Sequence, residues 1–394
     1  MQLAWNPKDE AFRAELVAFL DEHVPAEAAE GFDYADATNG GEELLPDWAR
    51  AWQAKLFDHG WMVPGYPPEL GGRNCTPVQT LIYLEEMASR RVLRSFHFPG
   101  YAIVAPSLLE FGTDAQKELA PAAIRGDTVW CIGMSEPNAG SDLAGLQTRA
   151  DVYDDRFVIN GQKVWTSYAM ISQKCFCYVR TDPTAPKHRG ISLVILDMDT
   201  PGIEIRPLRH LSGVSGFAEV FFTDVEVPRD NLVGELNGGW RITQGSLAHE
   251  RAGLWVDGVA RLETTIGGLV DLARRLGVDH DATVRRRIAT LSERAASLRS
   301  LGYKGFASFA QGSSAPEHSF MKMATSELSK ECFEYGIELQ GTYGVVIDPE
   351  WADGENGRWA HGFLTSFAGT IAGGSSEIQR NIIAQRVLGL PRGA

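Results

Sequence analysis

No uncharged run in this sequence approaches the ~20 residues a helix needs to cross a bilayer, so no membrane-spanning segment is expected. Basic charge is also short: 37 Lys and Arg stand against 51 Asp and Glu, a formal net charge of -14. Surfaces that hold DNA, RNA or anionic lipid gather basic residues, so this balance weighs against all three and suits a soluble protein. The opening stretch Met1-Gln-Leu-Ala-Trp-Asn-Pro-Lys-Asp-Glu-Ala-Phe12 has neither a basic n-region nor an apolar h-region, and no signal peptide is expected. Cysteine is scarce and odd in number: Cys75, Cys131, Cys175, Cys177 and Cys332. Cys175-Phe-Cys177 would share one face of a strand, but no second pair or His cluster completes a metal site. Buried thiols in a reducing, cytoplasmic compartment are the expectation. No Gly-x-Gly-x-x-Gly follows a strand pattern, no Gly-x-x-x-x-Gly-Lys-Ser/Thr occurs, and His249-Glu250 lacks the second helical His of a zinc protease. Internal repeats and low-complexity tracts are absent too.

What is present is an ordinary globular composition, 44% hydrophobic and 22% charged, on a 394-residue chain long enough for two or three domains. Phe12, Leu16, Val17, Phe19 and Leu20, then Val78, Leu81, Ile82, Leu84 and Met87, recur at helical spacing. Between them, residues 60–72 are a Gly/Pro-punctuated loop. Near Trp130 the period changes. Asn160-Gly161 lies between β-favouring runs, the signal of a two-residue hairpin. Further strand-like runs cover 174–181, 190–197, 203–208 and 219–227. After Gly238-Gly239 helical patterning returns to the C-terminus, interrupted by an acidic, turn-rich stretch at 348–357. The expected architecture is an α+β multidomain chain: an N-terminal helical domain over 1–122, a central antiparallel β domain over 123–235, and a C-terminal four-helix bundle over 236–394.

The densest chemical stretch is Met134-Ser-Glu-Pro-Asn-Ala-Gly-Ser-Asp142, where helix gives way to strand. Its small and hydroxylic residues suit either a capped turn or a site offering N–H and hydroxyl groups to an anion or carbonyl. Trp165-Thr166-Ser167 sets an aromatic plane beside two hydroxyls, and also reads as an ordinary strand aromatic. Together with Pro67-Pro-Glu-Leu-Gly-Gly72, Gly112-Thr-Asp-Ala-Gln-Lys117, Phe222-Thr-Asp-Val-Glu-Val-Pro228, Leu339-Gln-Gly-Thr-Tyr-Gly344 and Ser376-Glu-Ile-Gln-Arg-Asn-Ile-Ile383, these segments resemble the acyl-CoA dehydrogenase family in order and nearly end to end. The resemblance implies FAD held between domains and across a subunit interface. By motif position, Met134 and Ser135 would meet the flavin edge, Trp165 would cover one face, and the Ser167 hydroxyl would lie near N5, the hydride acceptor. Ser141 would face the acyl-CoA side. Gln340, Gly341 and Gly344 match the segment reaching a neighbouring subunit's adenosine, and Ser376, Glu377 and Gln379 the segment near the adenine half of FAD.

Dehydrogenation of a thioester needs a carboxylate to take the α proton while the flavin accepts the β hydride, and burial strengthens a Glu as that base. The family commonly carries the Glu in the loop read here as Ile371-Ala-Gly-Gly-Ser-Ser376, where Gly373 stands instead. A minority places it immediately before an Arg at the start of a C-terminal-domain helix. Glu250 matches in Leu247-Ala-His-Glu-Arg-Ala252, with Arg251 to orient the base or the loop of Gly373. Glu250 also reads as a first-turn helix acid favoured by the macrodipole. The family's Arg-x-Phe-Gly stretch is missing: Arg274-Arg-Leu-Gly277 occupies its place, without the Phe. Both departures resemble a subgroup acting on bulky acyl chains, steroid side chains included, some of whose members are α2β2 assemblies. The implied partners are an acyl-CoA thioester, an electron-transfer flavoprotein as acceptor, and further subunits in a homo- or hetero-oligomer, a dimer of dimers. The rival readings are a partner subunit with an incomplete site, a flavin oxidase or hydroxylase on the same fold, and a desaturase of carrier-protein-bound acyl groups.

Overall fold

The computed structural model describes residues 6–29, 45–95, 97–246, 254–311, 317–347 and 357–391. They fall into two compact units, Met1–Glu250 and Arg251–Ala394.

The first unit begins with helices whose starts are written in the sequence. The Asn6 side chain accepts from the Lys8 and Asp9 N–H groups and Pro7 supplies the first turn, launching α1 (Pro7–His23). A short α2 (Ala26–Ala29) and α3 (Asp47–Asp58) follow. The 60–72 loop contains a single 3₁₀ turn, Pro68–Leu70, and a Thr76/Gln79 capping box then opens α4 (Pro77–Ser89). A five-residue π turn, Gly100–Val104, runs into α5 (Ala105–Phe111). A second capping box, Thr113 with Gln116, starts α6 (Asp114–Lys117), ahead of α7 (Ala120–Arg125). Gln116 does more than cap. Its Nε2 donates to the Asp230 and Leu232 carbonyls at 2.9 Å each, tying the helical segment to the sheet.

The sheet comprises β1 (Trp130–Gly133), β2 (Arg149–Val152), β3 (Arg156–Ser167), β4 (Lys174–Arg180), β5 (Ile191–Asp197), β6 (Ile203–Leu208), β7 (Phe217–Pro228) and β8 (Leu232–Val233). Its order is β6-β7-β3-β2-β4-β5-β8, with β1 alongside β4. Most pairs are antiparallel; β1 and β2 each run parallel to β4. Both faces are covered. Cys175, Cys177 and Val179 of β4 enter one core with Phe157 and Val225, while Phe176 and Tyr178 enter another with Leu108, Ala123 and Ile195. Two-sided burial explains why β4 and β5 read as continuous apolar runs rather than alternating ones. Cys131, Cys175, Cys177 and Cys332 are buried and all five thiols are free, as expected. Hydrogen bonding to Cys131 holds the Cys175 thiol protonated, and hydrogen bonding to Cys175 together with burial does the same for Cys177.

The expected hairpin at Asn160-Gly161 is not formed. β3 runs straight through that position, and the turn lies earlier, where the Tyr153 N–H donates to the Arg156 carbonyl. Asn160-Gly161 instead faces a bulge in β7: the two steps from Ile159 to Gly161 lie opposite three from Val225 to Phe222, so the extra residue is on β7. The Asn160 side chain exchanges two hydrogen bonds with Asp224, at 3.0 and 2.9 Å, and Asp224 takes φ +48 on the facing strand. A Cβ at Gly161 would lie 2.7 Å from the Thr148 Cα, so the glycine serves a close strand approach. A turn and a strand facing a bulge draw here on the same residue types, and only the pairing partner separates them.

α8 (Gly239–Ser246) closes the described part of the first unit. The second unit contains α9 (Leu254–Arg275), α10 (Ala282–Ala310), α11 (Glu317–Gln340), α12 (Arg358–Ile371) and the short α13 (Ser376–Ile382). α9, α10 and α11 pack mutually, and α12 lies along α11. At the last contact two glycines receive aromatic rings reciprocally. A Cβ at Gly336 would sit 2.0 Å from the Trp359 ring, and one at Gly362 2.3 Å from the Phe333 ring. Close packing of this kind leaves no room for a methyl group. Among the described residues no helix is long and apolar enough to cross a membrane, and no group of three His, Cys, Asp or Glu could hold a metal ion.

Candidate functional site

The 134–142 segment leaves β1 and turns at once. The Glu136 and Ala139 backbones exchange hydrogen bonds of 3.0 Å in both directions, closing a tight loop over Pro137-Asn138. The loop then docks on β3, with the Val164 N–H donating to the Ser135 carbonyl at 2.9 Å. Beneath it lies a buried ion pair. Lys163, 0% exposed, donates to Glu136 Oε1 at 2.8 Å and to the Met134 carbonyl at 3.1 Å. The Glu136 carboxylate also accepts from the Gln147 and Thr148 N–H groups at 2.6 and 2.9 Å. Burial works to raise the Glu136 pKa, but the Lys163 charge and these hydrogen bonds outweigh it and hold the carboxyl below its ordinary value. Farther along, Arg180 donates to the Ala144 and Leu146 carbonyls, fixing the outgoing end of the loop.

This docking brings Met134 and Ser135, both half-buried, beside Val164 and hence beside Trp165. Trp165 is 53% exposed, although it sits in the middle of a sheet domain. Its φ of +59 is left-handed, an unfavourable conformation for a large side chain, and it coincides with a second ladder irregularity between Lys163 and Thr166. The indole stands edge-on to Phe217, with ring centroids 5.8 Å apart. Ser167, half-buried, pairs with Phe217 one step beyond. Met134 and Ser135 at the exit of β1 thus adjoin the last residues of β3, Trp165 to Ser167, where an exposed aromatic ring sits on a strained backbone edge beside hydroxyl and backbone groups. Ser141 is exposed at the far end of the same loop, next to Asp142, which pairs with Lys187 at 2.7 Å.

In the second unit, Gln340 ends α11, Gly341 follows with φ +61, and Gly344 is buried where a Cβ would meet the Ile337 carbonyl at 2.3 Å. Ser376 and Gln379 face inward. The Ser376 hydroxyl donates to Glu327 Oε1 at 2.5 Å, and the Gln379 amide to the Gly373 carbonyl at 3.0 Å. Lys322 Nζ donates to the Gly374 carbonyl at 2.7 Å, and burial lowers its pKa. Glu377, by contrast, is exposed, its carboxyl held below the ordinary value by hydrogen bonds from its own N–H and from Ser375. The Gly373-Gly374 turn is thus strapped from two sides. Gly373 has φ +66 with open space where a Cβ would stand, so a side chain there meets backbone strain rather than a clash. Gly373→Ala is expected to destabilise the chain by about 1 kcal/mol, and an unchanged thermal midpoint would contradict the left-handed geometry.

Glu250 and Arg251 lie outside the described residues, as do His249 and the 348–356 part of the acidic stretch. The Lys163–Glu136 pair was not singled out from sequence, though a signal existed. Phe157, Ile159, Gly161 and Lys163 occupy alternate positions of β3, so the lysine falls on the apolar face where a charge needs a buried partner.

Three family models match the chain in order: the acyl-CoA dehydrogenase N-terminal domain over residues 6–127, the middle domain over 131–225, and the C-terminal domain over 237–388. Acyl-CoA dehydrogenase IpdE1 of Mycolicibacterium smegmatis is 35% identical over 97% of this chain and 97% of its own. Among solved structures, the "Tcur3481-Tcur3483 steroid ACAD" superposes with a TM-score of 0.84 at 30% identity, covering 100% of both chains. The ChsE4-ChsE5 complex from Mycobacterium tuberculosis does so with a TM-score of 0.82 at 30% identity, again covering 100% of both.

Proposed function

The chain belongs to the acyl-CoA dehydrogenase family, and from that premise we propose that it dehydrogenates the α,β bond of an acyl-CoA thioester carrying a bulky, steroid-like acyl chain, with FAD as cofactor. It is an oxidoreductase acting on a CH–CH bond. The observation that carries the cofactor reading is Trp165, a large aromatic ring left half in solvent by a strained backbone. That edge fits a planar, hydrogen-bonding ring: the indole offers a face, Ser135 and Ser167 offer hydroxyls, and Met134 offers an apolar rim. The Met134 carbonyl points at the buried Lys163, so across the trans peptide the Ser135 N–H is turned away from the ion pair. A bound FAD would supply the hydride acceptor at its N5.

The chain's own residues do the rest. Met134, Ser135, Trp165 and Ser167 orient the ring, and Ser141 meets the thioester side. Glu250 takes the α proton with Arg251 orienting it, a role supported by Gly373, which has no side chain to act as base. Gln340, Gly341 and Gly344, with Ser376, Glu377 and Gln379, serve the adenosine half of the cofactor at a subunit boundary. For Gln379 the service runs through the Gly373 turn it braces, and for Ser376 through its bond to Glu327. An electron-transfer flavoprotein reoxidises the enzyme. The bulky-substrate class is supported by the open space beside Gly373 and by the "steroid ACAD" among the similar structures. A second reading, a subunit whose site is completed by a paralogous partner, is favoured by two of the similar structures, each carrying a pair of protein names.

The test is the visible spectrum of the chain purified alone, followed anaerobically as acyl-CoA thioesters are added. The expected result is a flavin spectrum bleached by a steroid-type thioester far more readily than by butyryl-CoA. Preference for butyryl-CoA would overturn the substrate class. A colourless chain that FAD cannot reconstitute alone, but that turns yellow on co-expression with a paralogue, would select the partner-subunit reading.

A further inference from the structure

We infer that the buried Lys163–Glu136 ion pair is a positioning device for the cofactor-facing edge, fixing the Met134–Ser135 peptide and the strained Trp165 in one geometry. The inference rests on the reading of that edge as the flavin site. Stability does not account for the pair, because a buried ion pair is commonly matched or bettered by apolar residues of similar volume. What this pair does instead is join three segments that meet nowhere else in sequence. Lys163 reaches from β3 to the Met134 carbonyl at the exit of β1. Glu136 reaches back from the turn to Lys163, and forward to the Gln147 and Thr148 N–H groups at the entry to β2. Each carboxylate oxygen and at least two ammonium protons are thereby engaged, with Lys163 0% and Glu136 8% exposed.

The consequence is local and directional. A trans peptide sets its carbonyl and the following N–H on opposite sides. Drawing the Met134 carbonyl inward therefore turns the Ser135 N–H outward. The next carbonyl, that of Ser135, is taken by the Val164 N–H, immediately before Trp165. The left-handed Trp165 is thus bracketed on its N-terminal side by two anchored residues, one held through its side chain and one through its backbone. Removing the anchor would let Trp165 relax toward an extended conformation and swing its ring out of register with Ser135.

The test replaces both charges together, Lys163→Met with Glu136→Gln, so that no unpaired charge remains buried, the Met134 carbonyl is released, and the single amide oxygen still accepts from one of the two N–H groups, Gln147 or Thr148. Three quantities are measured on the full chain: thermal midpoint, hydrogen exchange of 133–137 and 163–166 without flavin, and FAD affinity by visible absorption. The expected result is a midpoint close to the parent's, with exchange at position 136 and at Val164, whose N–H groups donate to the Ala139 and Ser135 carbonyls, at least about tenfold faster and FAD bound at least about tenfold more weakly. Parental exchange and parental FAD affinity at retained stability would overturn the proposal, because a merely structural pair predicts that outcome. If the double variant fails to fold, Lys163→Met alone, which frees the Met134 carbonyl while Glu136 keeps its two N–H donors, is judged by the same two readouts. If the parent chain takes up no FAD in any assembly, the flavin reading falls, while the exchange comparison still decides whether the pair positions the 134–135 peptide.

Discussion

Glu250→Gln is expected to lower turnover by about 10²–10⁴-fold while leaving thioester affinity and the flavin spectrum near those of the parent. The substitution keeps the side chain's size and one acceptor oxygen but removes its basicity. Since the α proton is only weakly acidic, the proton-transfer step loses its acceptor. The structure sharpens this expectation at the other position where the family commonly carries a base. Gly373 has φ +66, and its carbonyl and that of Gly374 are held by Gln379 and Lys322. That turn is built for glycine, so no second carboxylate at this position stands ready to take over. A single-turnover measurement of flavin bleaching separates chemistry from product release. Bleaching at the parental rate in the Gln variant would remove Glu250 from the mechanism.

Acidification from pH 7 to pH 4 is expected to remove roughly 3 kcal/mol of stability through His97 alone. The imidazole is 0% exposed. Its Nε2 lies 2.8 Å from the Trp130 carbonyl, while its Nδ1 is buried with no partner among the described residues. The Trp130 N–H also lies 3.0 Å from Nε2, so that nitrogen faces both backbone groups of Trp130; charging the ring puts a proton on both nitrogens, and the Nδ1–H has nothing among the described residues to receive it. Burial is the main cause that pushes the pKa from 6.5 down to about 4, with the Arg50 charge adding to it against the Trp130 hydrogen bond. The folded pKa lies below the unfolded one, so the contribution is fully present above pH 6.5 and is lost as pH falls toward 4. His97→Gln, which retains an N–H for the Trp130 carbonyl, should flatten that part of the profile relative to the parent. Urea midpoints at pH 7, 5.5 and 4, followed by tryptophan fluorescence, check this. Parallel profiles for the two proteins would show that His97 does not titrate in the fold. The effect bears on function because Trp130 opens β1, the strand that delivers Met134 and Ser135.

The elements legible beforehand were those whose signals are local. The helical spacing around Leu16 and Leu81 depends on residues within one or two turns, and both segments are helices as read. The strand-like runs from 174 to 227 are strands as well. Asn160-Gly161 misled because the same residues serve a straight strand here, Asn160 bonding the bulged Asp224 of β7 and Gly161 allowing the close approach of Thr148, and the bulged strand is a partner about 60 residues away. The family segments were legible as a series, and Met134, Ser135, Trp165 and Ser167 were proposed from them as the flavin-facing residues.

Their mutual placement was not legible. By itself the sequence determined the family, the helix–sheet–helix order and the absence of a side chain at Gly373, because those properties are carried by residue identity and short-range period. Only the tertiary structure decided that Trp165 would be left-handed and exposed, that Ser376 would turn inward to Glu327 and Gln379 to the Gly373 carbonyl, and that Lys163 would find Glu136 across 27 residues of chain. The physical reason is that a buried charge and a strained backbone are each unfavourable alone and persist only where packing supplies the compensating partner. That partner is chosen by the topology of the sheet, which no local pattern records.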